Sequence, residues 1–271
     1  MDNQFSVATV FIYGLSLVAL YFYTRMALWL RRAGGAVNDG GFVAADLSIG
    51  LVLATFFGYF AISNWPDPKM PPAPVKVEDV LPGELFMIVI ALGVGGFLVY
   101  RGANLVSLLG LKRLPPLRIV GSAIAYILAA FPIIVALAKA LTGFLDHEPE
   151  EQQLVILFRD EARHGHFRGV ATILLAGVIL APCVEEFLFR GFFYGVFKRH
   201  FGGIGAGLFS AALFAVFHMN MASLPGLFVL ALCLTLAYER TGSLFVPVAM
   251  HALFNFSNLA LLYLQALGYF H

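Results

Sequence analysis

The sequence predicts an all-α membrane protein, a polytopic helical bundle of about eight transmembrane helices, from its composition and the spacing of its apolar runs. Hydrophobic residues make up 60% of the 271 positions and charged residues only 12%. That leaves too few polar side chains to cover a water-soluble globule. The mean hydropathy is +0.86. Apolar windows recur along the chain, each near the ~20 residues a helix needs to cross the hydrocarbon core.

The windows fall at about 8–30, 42–63, 84–106, 119–143, 169–197, 203–218, 224–238 and 243–267. Each reads as a helix, because lipid has no water to satisfy an unpaired backbone. The first run lacks a basic start and a small-residue cleavage pattern, so it is expected to persist as a span. Between the second and third runs, Trp65 to Glu84 contains Pro66, Pro68, Pro71, Pro72, Pro74 and Pro82, the composition of an extended, non-helical connector. Glu150 to Arg168 mixes Leu154, Val155, Leu157 and Phe158 with charged residues. It reads equally as a short amphipathic helix on the membrane surface and as a solvated connector. His164 and His166 near its end read as a polar loop before they read as metal ligands. Gly202, Gly203, Gly205 and Gly207 open the sixth window, where small residues permit close helix packing. Cys183 and Cys233 lie in apolar segments and are expected as buried free thiols.

The formal net charge is +1, and with no basic tail or charge block nothing points to nucleic acid. Where the charges sit is more informative than their sum. Arg31 and Arg32 follow the first window; Arg101, Lys112, Arg113 and Arg118 the third; Lys198 and Arg199 the fifth; Arg240 the seventh. Asp67, Glu78, Asp79 and Glu84 crowd one intervening loop, and Asp146, Glu148, Glu150, Glu151, Asp160 and Glu161 another. The basic ends are expected on the cytoplasmic side and both termini on the other.

Ionisable groups within lipid cost about 2.5 kcal/mol or more each, so the few present are functional candidates. The fifth window holds Glu185, Glu186 and Arg190, the sixth ends in Phe214 and His218, and the eighth holds His251 and Asn255. Glu186 and Arg190 are four apart on one helix face, where the arginine neutralises the carboxylate. Glu185 points about 100° away, lacks a cation on its own helix and is free to act on a proton. His251 and Asn255 share a face by the same spacing. Counting ~1.5 Å per residue from the basic ends, Glu185 lies roughly 20 Å deep, His218 roughly 22 Å, and His251 and Asn255 roughly 14 to 20 Å, so the groups converge on one level. Elsewhere only Asp46 and Arg25 are comparable, and they are expected to pair across the first two helices.

At these positions the chain resembles the CAAX-processing endopeptidase and bacteriocin-processing (CPBP) family of intramembrane proteases. Glu185, Glu186 and Arg190 match Glu-Glu-x-x-x-Arg, Phe214 and His218 match Phe-x-x-x-His, and His251 and Asn255 match His-x-x-x-Asn. The likeness runs from about Asn104 to Leu267, with the Leu-Gly-Leu-Lys-Arg stretch ending at Arg113 as its lead-in. It divides the chain into N-terminal membrane helices with the Pro-rich loop, 1–103, and a protease core, 104–267.

The resemblance implies an endopeptidase that cuts near the C-terminus of a protein or peptide substrate, a prenylated CAAX protein being one class. No acyl-enzyme is implied. Glu185 would act as general base on a water that His218 orients, His251 and Asn255 would stabilise the oxyanion, and Glu186 with Arg190 would hold the helix. No cofactor is required in this reading. The alternative is a zinc site of Glu185, His218 and His251, although the chain has no His-Glu-x-x-His motif. A non-catalytic membrane scaffold or bacteriocin-immunity protein would keep the same bundle. A transporter would show inverted repeats, which the sequence lacks.

Overall fold

Each apolar window folds as a helix. The structure, a computed structural model, describes residues 7–66, 74–144 and 152–269. Asp67, Pro68, Pro71, Pro72, Asp146, Glu148, Glu150 and Glu151 lie outside the described residues.

The helices are α1 (Val7–Ala33), α2 (Ala44–Ser63), α3 (Val77–Tyr100), a short α4 (Leu105–Leu108), α5 (Pro116–Phe144), α6 (Gln153–Arg163), α7 (Phe167–Phe201), α8 (Gly203–Phe217), α9 (Leu224–Thr241) and α10 (Phe245–Ala266). Seven of them are long and apolar enough to cross a membrane. The remaining expected span, α8, is apolar but only 15 residues long, or ~22 Å at the helical rise. It stops inside the bundle, and Met219 just beyond it takes a left-handed φ of 49°. His218 therefore sits at a helix C-terminus, beside a strained residue of the kind that clusters at functional sites.

α7 is the axis of the bundle. Leu188, Phe189, Arg190, Phe192, Phe193 and Val196 are all fully buried, and α2, α3, α8 and α10 pack around this helix. Phe189 stacks on Phe57 of α2 at 6.2 Å and meets Phe214 and Phe217 of α8 at 5.2 and 6.2 Å, while Phe193 meets Phe57 edge-on at 5.8 Å. One hydrophobic core runs from Tyr23 to Met250 and joins residues 1–103 to residues 104–267.

Two stretches of α7, Leu175–Leu180 and Phe187–Tyr194, are π-helical. Pro182 gives a local reason for the first. In the wider register the carbonyl of Gly177 would accept from the N–H of residue 182, and proline has none. The Asn255 side-chain amide supplies the donor, Nδ2 to Gly177 O at 2.7 Å. In the second stretch the Phe189 carbonyl accepts from Ser210 Oγ of α8 at 2.8 Å.

The structure corrects several expectations. The supposed connector Trp65 to Glu84 is helical from Val77, with Pro82 inside α3. That proline is tolerated because the carbonyl it leaves without a donor, on Glu78, lies in the exposed first turn. Asp46 pairs with Arg101, Nε to Oδ1 at 2.6 Å, and not with Arg25. As the third residue of α2 it also accepts the Val43 N–H at 2.8 Å, an N-terminal cap that fixes its direction. Cys183 is exposed on α7, whereas Cys233 is buried as expected, and both thiols are free. Glu150 to Arg168 resolves in favour of the amphipathic helix: α6 buries Phe158 and Ala162 in a small satellite core with Val170, Ile173 and Leu259.

The loops on the basic side are pinned to the core. Glu239 of α9, 5% exposed, accepts from Tyr194 Oη and Lys198 Nζ at 2.5 Å each, and Lys198 also reaches the Val37 carbonyl at 3.1 Å. Gly110, at φ +63, lies against the α9–α10 turn so closely that a Cβ there would sit 1.8 Å from the Gly242 carbonyl oxygen. Gly102, at φ +89, has open space. Gly110→Ala is therefore expected to lower the thermal midpoint in detergent well beyond Gly102→Ala, which carries only the ~1–2 kcal/mol of left-handed backbone strain.

Candidate active site

Three helices bring the expected residues together. Glu185, Glu186 and Arg190 project from the central turn of α7, Phe214 and His218 from the inner end of α8, and His251 and Asn255 from α10.

Glu186 and Arg190 have no exposed side-chain surface and form an ion pair, Nη1 to Oε1 at 2.8 Å. The i,i+4 spacing survives the π turn that begins at Phe187. His251, 3% exposed, places Nδ1 3.0 Å from the same Oε1. A carboxylate only accepts, so Nδ1 carries the ring proton. The Arg190 guanidinium lies 4.4 Å from the centroid of Phe214, close enough for a cation–π contact. The Phe214 ring also touches His218 and His251, with centroids 4.7 and 5.7 Å away. Phe214 thus packs against both the buried charged cluster and a more accessible pair.

That pair is Glu185 and His218. Their side chains are 15% and 22% exposed, and Glu185 Oε2 stands 4.0 Å from His218 Nε2. Nδ1 of His218 lies 2.8 Å from the Phe214 carbonyl oxygen, so the proton is on Nδ1 and the neutral ring turns a lone pair at Nε2 toward the carboxylate. Among the described residues Glu185 Oε2 finds no hydrogen-bond partner. Two acceptors do not bond each other, and at 4.0 Å they stand about as far apart as the two acceptors of one bridging water.

His251 and Asn255 share a face of α10, and that face is turned on α7. They do not meet each other's partners: His251 bonds Glu186, and Asn255 bonds the carbonyl of Gly177. Asn255→Ala is expected to cost about 1–3 kcal/mol in thermal unfolding, because it leaves that carbonyl unpaired in the interior.

For zinc, the donor set of Glu185, His218 and His251 does not converge. Among the described residues no three His, Cys, Asp or Glu side chains gather closely enough to share an ion, and the Nδ1 of His251 is committed to Glu186. His164 and His166 are outside the site. His166 faces Glu161 at 3.3 Å, and the two rings stack 5.6 Å apart.

The sequence reading missed Glu84. Loop charge groups it with the acidic connector, yet it lies within α3, half-buried and close enough to interact electrostatically with Glu185. Its signal was an acidic residue at the edge of an apolar window, obscured by misplacing the start of α3.

The family model described as type II CAAX prenyl endopeptidase Rce1-like matches residues 167–257, the segment that carries every residue of this site except Glu84. An Escherichia coli protein described as an uncharacterized 24.3 kDa protein is 31% identical over 169 residues, 57% of this chain and 69% of that one. The Bacillus subtilis (strain 168) protein named "Putative membrane peptidase YdiL" is 22% identical over 143 residues, 50% of this chain and 55% of its own length. No solved structure is similar enough to count as a match. The shared segment is also the one the fold buries most deeply, and on these grounds the chain is a multi-pass membrane protein that belongs to the Rce1-like family of type II CAAX prenyl endopeptidases.

Proposed function

We propose that this protein is an intramembrane endopeptidase that hydrolyses a peptide bond near the C-terminus of a protein or peptide substrate, with water activated by Glu185 and His218. The observation that carries this reading is the pair of acceptors, Glu185 Oε2 and His218 Nε2, 4.0 Å apart. A water held there donates one hydrogen to each and turns its lone pairs outward to a substrate carbonyl.

In the reaction, Glu185 takes a proton from the water as the oxygen bonds to the scissile carbonyl carbon. The oxyanion that forms is stabilised by His251 and Asn255. Asn255 has a second amide hydrogen beyond the one given to Gly177. Nε2 of His251 donates when the ring is doubly protonated, with Glu186 balancing that charge. Collapse of the tetrahedral intermediate breaks the C–N bond, and Glu185 returns its proton to the leaving amine. Such donors are worth about 3 kcal/mol each. Glu186 and Arg190 hold α7 in register.

In this reading residues 104–267 form the protease core and residues 1–103 wall its side, with α3 bringing Glu84 toward Glu185. The zinc alternative finds no converged donor set, and no step is assigned to a metal. Family membership supports, as the substrate class, a C-terminal CAAX-type sequence with or without a prenyl group. The scaffold reading keeps one point in its favour, since His251, Asn255 and Glu186 all make contacts that hold helices together. It gives no reason for Glu185 Oε2 to be unbonded.

The test is cleavage of a panel of farnesylated and unmodified CAAX peptides by purified protein in detergent. The expected result is product from at least one peptide, with its mass marking the bond cut, and none from Glu185→Ala. A panel left intact by folded wild-type protein would leave the scaffold as the better reading.

A further inference from the structure

A groove of about 530 Å³ opens between the N-terminal part of α5 and the end of α9, lined by Arg118, Ser122, Tyr126, Arg240, Thr241 and Leu117 among others. Among the described residues no carboxylate lines it. Every other feature of it favours an anion. Among the described residues neither Arg118 nor Arg240 forms an ion pair, in contrast to Arg101, which is tied to Asp46, and Arg113, which donates to the Ala36 carbonyl. Arg240 is instead laid over the Trp29 ring of α1 with its guanidinium carbon 4.1 Å from the centroid. That contact holds the head group by its face and leaves its N–H edge for a ligand. α5 begins at the groove with no acidic residue in its first turn, so the positive end of a 29-residue helix is not neutralised there.

The surroundings say what kind of anion. Leu117, 85% exposed, stands beside Arg118 on the outer surface of the bundle, and Trp29 is 45% exposed at the same end. Indole rings and arginines at the end of a span mark the headgroup level of a bilayer. The ends of α1, α5 and α9 that meet here are the basic ends, expected on the cytoplasmic side. A soluble phosphate would use the arginines and leave Leu117 unexplained, whereas a phospholipid uses both, its phosphate on the guanidinium groups and its chains along the apolar flank.

We propose that this groove binds the phosphate group of an anionic phospholipid of the cytoplasmic leaflet. Basic pockets between spanning helices on that side are suited to such headgroups. The site is separate from the Glu185–His218 pair, and its test does not depend on any protease activity.

Trp29 reports on it directly, because the chain has two tryptophans and Trp65→Phe leaves Trp29 alone. In detergent, short-chain phosphatidylglycerol is titrated against Trp29 emission in the Trp65→Phe protein, with short-chain phosphatidylcholine and inorganic phosphate in parallel. Saturable binding of phosphatidylglycerol is expected, with at least tenfold weaker responses to the other two. Arg118→Gln with Arg240→Gln should weaken it roughly 30-fold, from about 1 kcal/mol per arginine. Because Arg240 touches the reporter, the same comparison is repeated by native mass spectrometry of retained lipid. Arg31→Gln with Arg32→Gln, basic residues at the same membrane level that do not line the groove, should leave affinity within threefold. Equal affinity for phosphatidylcholine, equal affinity in the groove variant, or an equal loss in the Arg31/Arg32 variant would each overturn the proposal. Saturation by inorganic phosphate at the same concentration would replace the lipid with a free anion and overturn it too.

Discussion

Glu186→Ala lowers the unfolding stability of the detergent-solubilised protein by about 3–5 kcal/mol, the largest loss expected at the site. The reason is the partner left behind. Arg190 has no exposed side-chain surface, its Nε and Nη2 already lack hydrogen-bond partners among the described residues, and a guanidinium cannot shed its charge. Removing Glu186 leaves that charge against the Phe214 ring, with Glu185 acting on it only at longer range. Arg190→Met costs less, because a carboxylate stripped of its cation is discharged by taking up one proton and keeps its bond to His251. Replacing both, Glu186→Leu with Arg190→Met, recovers most of the loss, as with other buried ion pairs exchanged for apolar residues. Thermal unfolding of the four proteins checks the order. Equal losses in the two single variants would mean that the pair is hydrated and not buried as described.

The second large effect is on rate. Glu185→Ala and His218→Ala are each expected to lower kcat about 10²–10⁴-fold with little change in thermal midpoint. The double variant is expected to be no slower than the slower single one. Residues that act on one water as a unit lose their joint contribution when either is removed. Multiplied losses, measured on any peptide the wild type cleaves, would show that the two act at separate steps.

Much of this site is legible in the sequence because it rests on local geometry. The four-residue step from Glu186 to Arg190 predicts an ion pair, and it is there at 2.8 Å. Counting depth along separate spans predicts that Glu185 and His218 share a level, and they lie 4.0 Å apart. What depends on how helices rotate against one another is not legible. Nothing in the spacing says that His251 turns to Glu186, or that Asp46 reaches Arg101 rather than Arg25. Asn255 shows the limit best. Its partner is a carbonyl that needs a donor only because Pro182 lacks an N–H in a π-helical register, and a 3.6-residue period has no place for that register. Glu84 was hidden by a helix boundary, where apolar windows are least reliable and a proline near the start of α3 looked like a break.

Central to this account is that the unbonded carboxylate of Glu185 activates the attacking water. Glu185→Gln tests it most directly, since it keeps the shape and exposure of the side chain while removing its basicity. Cleavage of the best peptide substrate by this variant and the wild type is compared at equal thermal midpoint, with and without a zinc chelator. The account predicts that Glu185→Gln loses about 10²-fold or more of the rate and that the chelator leaves the wild type unchanged. Wild-type cleavage by Glu185→Gln would contradict it.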